Sequence, residues 1–253
     1  MEIAIVIAVA FGASMLTFFS GFGLGTMLTP AFVLFFPPEI AVAATAIVHF
    51  ANNLFKLTLI GKHAVKKIVL GFGLPAIVGA FGGAYFLSWL SNLDQELYVF
   101  GLTTTLLNLC IGGLILLFAL VELIPGIRKM GLAPSWLIAG GVISGFFGGL
   151  SGHQGALRSA FLIKFPLSKE QFVASGIVIA CLIDTMRIGT YAFTFDFDSI
   201  IAQSGLMIMA TIAAFAGAIL GKRLMKKITI DAIQWIVGGL MAIIGLLLAL
   251  GLI

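Results

Sequence analysis

Residues 144–155 read Ser144-Gly145-Phe146-Phe147-Gly148-Gly149-Leu150-Ser151-Gly152-His153-Gln154-Gly155, inside an apolar run from about 134 to 165. A crossing helix takes about 20 residues, so this run is too long for one span and too short for two comfortable ones. The run from about 3 to 36 has the same length problem, and glycine again interrupts it: Ser20-Gly21-Phe22-Gly23-Leu24-Gly25, with Pro30 following. Glycine lets a chain turn sharply and approach a neighbour closely. Each run is therefore expected to fold back as a re-entrant or broken-helix hairpin. Non-helical backbone at membrane depth survives only where protein or a watery cavity covers it, which makes both breaks candidate site elements.

Working outward, the whole chain reads as membrane-embedded. Of 253 residues, 61% are hydrophobic and 9% are charged, and mean hydropathy is +1.20. A soluble domain carries about 25% charged residues. These figures imply an all-α polytopic membrane protein with no soluble domain, and they exclude nucleic-acid binding and soluble catalysis. The net charge of +4 fits Lys and Arg held in cytoplasmic loops. Met1-Glu2-Ile3 lacks a basic n-region, so the first run is expected to be retained.

Six further runs, near 40–60, 68–90, 97–121, 171–195, 199–221 and 232–253, each have the length of one crossing. They suggest two repeats, 1–125 and 126–253, each a hairpin plus three spans. Ser20-Gly21-Phe22 is echoed by Ser144-Gly145-Phe146, and Asn53-x-x-Lys56 by Asp184-x-x-Arg187. Ala80-Phe81-Gly82-Gly83-Ala84 is echoed by Ala214-Phe215-Ala216-Gly217-Ala218, and Gly112-Gly113-Leu114 by Gly238-Gly239-Leu240.

Charge sets the orientation. Lys56, Lys62, Lys66 and Lys67 cluster after the second run, while Asp196 and Asp198 hold the matching place in the second half. Asp94 and Glu96 are matched by Lys222, Arg223, Lys226 and Lys227. The bias reverses, so the halves are expected to insert with opposite topology. Only hairpins at the first and fifth runs put 56–67, 164–169 and 222–227 on one side.

Several residues carry the candidate chemistry. A helix that resumes after a break offers free N–H groups and the positive end of its dipole to an anion, which nominates Gly21, Gly23, Gly25, Thr26, Ser151, Gly152 and Gly155 as substrate contacts. His153 and Gln154 sit within the second break. Arg158, about one turn later, is costly inside a bilayer, and its planar fork suits an oxyanion; a structural pair with Asp184 is the alternative. Asp184 and Arg187 share a helical face and are read as an ion pair or as a proton-coupling site, with His49 nearby in role. Asn52 and Asn53 are expected to line a polar cavity. Cys110 and Cys181 read as packing residues, without a metal or redox motif. Neither a nucleophile elbow, a Walker loop nor an HExxH sequence occurs, so no enzyme activity, cofactor or metal is expected.

The duplicated glycine break, the Gly21-Phe-Gly-Leu-Gly-Thr-Met-Leu-Thr-Pro30 sequence, the stretch from Gly145 through Arg158, and the basic Gly61-Lys62-His63 region resemble the sulfite exporter TauE/SafE family over the whole chain. The second copy departs from the pattern, being polar and lacking the proline. The resemblance implies a multi-pass protein of a bacterial or archaeal cell membrane that moves sulfite, sulfonates or related organosulfur anions. The expected function is thus secondary transport of a small anion by alternating access, with the site between the hairpins. A membrane thiol-disulfide carrier and proton-coupled uptake of another small carboxylate or sulfur anion are the alternatives. The expected partners are the anion and the bilayer, with a homo-oligomer left open.

Overall fold

The computed structural model describes residues 2–20, 24–93, 95–124, 126, 131–195, 197–224 and 231–253. Its elements in chain order are α1 (Glu2–Ser20), α2 (Leu24–Val33) and α3 (Pro38–Ile60), then α4 (Lys66–Ser91) with a π turn at Val69–Gly73. A hairpin of β1 (Glu96–Val99) and β2 (Leu102–Thr105) leads into α5 (Leu106–Leu123). The second half holds α6 (Leu137–Ser151), α7 (Gln154–Leu162), α8 (Lys169–Thr194), the short α9 (Phe197–Ile201), α10 (Ser204–Leu224) and α11 (Asp231–Ala249). The protein is an all-α polytopic membrane protein. Among the described residues, five helices, α3, α4, α5, α8 and α10, are long and apolar enough to cross a bilayer.

Local sequence explains the main starts and stops. Pro37 and Pro38 open α3, where a missing N–H costs nothing. Ser168 and Gln171 form a reciprocal capping box at α8. The span expected at 97–121 starts later, at Leu106. Phe100 and Gly101 both have positive φ and make the tight turn of a hairpin, pairing Glu96 with Thr105 and Val99 with Leu102. The β-branched run Thr103-Thr104-Thr105 favours the strand, and Thr105 then caps α5 by accepting from the Asn108 N–H at 3.1 Å. Lys56 also departs from expectation. It lies inside α3 and is buried, not in the loop that follows.

Packing follows a regular pattern. α1 packs on α10 and α6 packs on α4; α3 touches both α8 and α10, and α8 touches α4; α5 packs on α11. Each broken run folds on itself, α1 on α2 and α6 on α7. Glycine lets the backbones meet. A Cβ on Gly79 or Gly83 of α4 would strike the carbonyls of Val142 or Phe146, and one on Gly145 or Gly149 of α6 would strike those of Ala76 or Ala80. Gly217 and Gly221 of α10 meet the carbonyls of Phe11 and Met15 of α1 in the same way. Without a hydrophobic drive between helices in lipid, such close approach supplies the dispersion contact that holds them.

Candidate anion site at the two helix breaks

The second break is narrower than the glycine run suggests. Gly145, Gly148 and Gly149 remain helical, and α6 ends only at Gly152, which is left-handed at φ 82° and donates its N–H to the Gly148 carbonyl at 3.0 Å. A side chain is strained there. His153 then stands at the N-terminal boundary of α7, its side chain making no capping bond to that helix. In the first half the helix ends at Ser20 and resumes at Leu24; Gly21 and Gly23, both nominated by the sequence, lie outside the described residues. Ser144-Gly145-Phe146 sits within α6, whose break comes only at Gly152.

The two resumed helices meet. A Cβ on Gly25 would lie 2.9 Å from the Gly152 carbonyl oxygen, and Thr29 Oγ1 donates to the Ser151 carbonyl at 3.4 Å. Glycine at 25 is thus required by proximity. Around this junction sit Thr26, Ser151, Gly152, His153, Gln154 and Gly155, all buried.

Asp184, in the middle of α8, organises the charged part of the site. Arg187 Nε donates to its Oδ1 at 3.0 Å, with Nη2 2.9 Å from the same oxygen. Gln154 Nε2 donates to Oδ1 at 3.3 Å. His49 Nδ1 lies 2.7 Å from Oδ2, and Asn53 Nδ2 reaches that oxygen at 3.5 Å while lying over the His49 ring. Both carboxylate oxygens are therefore fully engaged, which is how a buried charge is tolerated. Arg187 Nη1 continues to the Gly148 carbonyl at 3.3 Å, and the Tyr191 hydroxyl donates to the Gly149 carbonyl. These bonds fix the end of α6 against α8.

Arg158 joins that network only through Gln154. It is 8% exposed, its Nη1 donates to Gln154 Oε1 at 3.4 Å, and among the described residues it forms no ion pair. Its guanidinium lies over Gly176 of α8, where a larger residue would crowd it. Lys56, four residues from Asn52 and three from Asn53, lies close enough to Arg158 for their charges to repel. With the Asn52 amide turned so that its nitrogen donates to Ser14 Oγ and the Ala214 carbonyl, its oxygen accepts from Lys56 Nζ at 3.0 Å.

Four buried polar atoms near the breaks have no hydrogen-bond partner among the described residues: Thr26 Oγ1, Thr45 Oγ1, His153 Nε2 and Arg187 Nη2, the last held by charge 2.9 Å from Asp184 Oδ1. Buried polar groups are normally satisfied, so such atoms mark where a ligand can be received. The Thr45 methyl lies 3.6 Å from a Cβ built on Gly25, which places this residue at the junction.

The structure thus gathers His49, Asn53, Gln154, Asp184 and Arg187 into one network, and it brings Gly25 to Gly152. Lys56, Thr45, Ser14 and Tyr191 join them without having been nominated. The spacing 49, 52, 53, 56 is a single helical face and could have included Lys56; no local pattern distinguishes Thr45. Cys110 on α5 and Cys181 on α8 are free. Among the described residues, no group of three or more His, Cys, Asp or Glu side chains is placed to hold a metal.

Comparison with known proteins agrees with this architecture. No curated protein matches the chain. Residues 6–248 match the family model described as Sulfite exporter TauE/SafE, from α1 to the last helix, and the chain belongs to that family of membrane transporters.

Proposed function

We propose that the chain is a secondary transporter that exports sulfite or an organosulfonate across a bacterial or archaeal cell membrane by alternating access, with its site between the two breaks. The observation that carries this reading is Arg158: a buried guanidinium with most donors unengaged, beside Lys56, while the nearby carboxylate of Asp184 is already committed to Arg187 and His49. Among the described residues Arg158 forms no ion pair; a buried cation in a bilayer is expensive, and a small oxyanion would offset that cost.

Pairing of the helices supports an inverted duplication. Exchanging α1 with α6, α2 with α7, α3 with α8, α4 with α10 and α5 with α11 maps the contacts onto one another. Two halves of this kind can rock about a site at their interface. An inside-negative potential drives an anion outward by about 2.3 kcal/mol per charge per 100 mV, so export needs no ATP.

The test is flux in liposomes holding the purified protein, offered sulfite, methanesulfonate and acetate with an imposed potential. Movement of the sulfur anions above acetate is the expected result. Folded protein that moves none of them rejects the reading. Replacing both cysteines with alanine separates it from a thiol carrier, since a transporter keeps its flux.

A further inference from the structure

We propose that the anion is bound together with one proton, held between one of its oxygens and Nε2 of His153. This rests on the anion-transporter reading above and names the coupling residue within that site.

The hydrogen-bond chain behind His153 fixes where its ring proton sits. Ser151 Oγ has one hydrogen, and it donates that hydrogen to the Phe147 carbonyl at 3.1 Å. Toward His153 Nδ1, 3.1 Å away, the same oxygen can only accept. Nδ1 therefore carries the hydrogen, and in the neutral ring Nε2 is left as a bare acceptor. That atom is buried and has no partner among the described residues.

An oxyanion also presents only lone pairs. Two acceptors repel unless a proton lies between them, so an anion seated against Nε2 must bring a proton on an oxygen or meet an imidazolium. In the first case an O–H donates to the ring nitrogen; in the second the ring takes a proton from solvent and donates it to the anion. Both states contain the same atoms and the same charge. No bond but N–H or O–H forms or breaks, and the proton leaves with the anion or returns to solvent on release. The Phe118 ring, stacked on His153 at 5.1 Å with 5° between planes, accommodates the charged ring through its π face.

The surroundings leave His153 as the place for the proton. Arg187 on α8 is the cation whose charge reaches the ring, and Asp184 beside it neutralises it. α5 presents Phe118 and, one turn on, Glu122; α2 has no ionisable side chain between Leu24 and Val33; α6 has none; α7 contributes Arg158; and His49 of α3 is tied to Asp184. Asp184 is a poor competitor, because each of its oxygens already accepts two donors.

Calorimetric titration of the full-length protein in detergent with sulfite, and with methanesulfonate, which carries no proton of its own, tests this directly. Repeating it in buffers of different ionisation enthalpy counts protons. Above neutral pH the expected result is uptake of about one proton per anion, with affinity falling about tenfold per pH unit. In H153Q the amide N–H supplies the donor, so binding should lose both the proton uptake and the pH slope. Ser151→Ala, which frees the ring to carry its hydrogen on Nε2, should reduce the uptake as a second variant. Anion binding to the wild type without proton uptake, or an unchanged slope in H153Q, would overturn the proposal and leave the transporter reading standing. Failure of both anions to bind folded wild-type protein at any pH would instead overturn both.

Discussion

His49 Nδ1 donates to Asp184 Oδ2 at 2.7 Å, joining α3 to α8 across 135 positions of sequence. The bond links the central helices of the two halves through one carboxylate, which also receives Arg187 and Gln154. A group so saturated anchors the helices well and exchanges protons poorly.

Asp184→Asn should therefore act on stability first. It leaves Arg187 buried without its counter-charge, and breaking a buried pair from one side costs about 3–5 kcal/mol. Thermal unfolding in detergent should show a large loss, and Asp184→Asn combined with Arg187→Gln should recover part of it. A stable Asp184→Asn protein that binds anion but no longer responds to a pH gradient would return the coupling role to this residue.

Arg158→Lys addresses anion recognition. Lysine keeps the charge but not the planar fork, and loss of one charge-assisted hydrogen bond costs roughly 1.5–3 kcal/mol. Anion affinity should fall about ten- to a hundredfold while the melting temperature stays near wild type, because among the described residues this side chain forms no ion pair. Unchanged affinity would assign Arg158 a packing role over Gly176.

Gly83→Ala checks the close contact of α4 with α6. The added methyl meets the Phe146 carbonyl, and overpacking of a tight interface costs about 1–3 kcal/mol. Gly113→Ala is the control, since nothing lies within 4 Å of a Cβ there and alanine is the better helix former. Equal stability of the two variants would mean that these helices do not depend on glycine for their spacing.

Orientation can be read by labelling single cysteines in a Cys110→Ala, Cys181→Ala background. Substitutions at Pro37, Gln95 and Asp198 should react with an impermeant reagent from outside; those at His63, Lys169 and Arg223 should not. Opposite exposure of His63 and Arg223 would break the inverted arrangement of the halves.

Much of this architecture was legible before any coordinates. Over-long apolar runs, interrupted by Gly21–Gly25 and by Gly152, could not be straight spans, because chain length and bilayer thickness are fixed quantities. Arg158, Asp184 and Arg187 stood out for a related reason, since a charge inside a hydrophobic segment is conspicuous in one dimension. The place of the second break was less legible, because glycine recurs so often that Ser144-Gly145-Phe146 imitates a break, while the chain turns only at Gly152. Thr105 and the Phe100-Gly101 turn were hidden inside an apolar run that hydropathy alone cannot divide.

By itself, the sequence determined that this protein lives in a membrane as bundled helices with two interrupted runs, because hydropathy and length act locally along the chain. Which buried charges belong to each other depended on how the helices pack. Asp184 had two possible cationic partners in the sequence, Arg158 and Arg187, and distances across helices chose Arg187 and His49, leaving Arg158 to Gln154. The same holds for His153. Its residue type was visible, but the contact of Nδ1 with Ser151 Oγ and the partnerless Nε2 are set by packing across helices, which no spacing along the chain encodes.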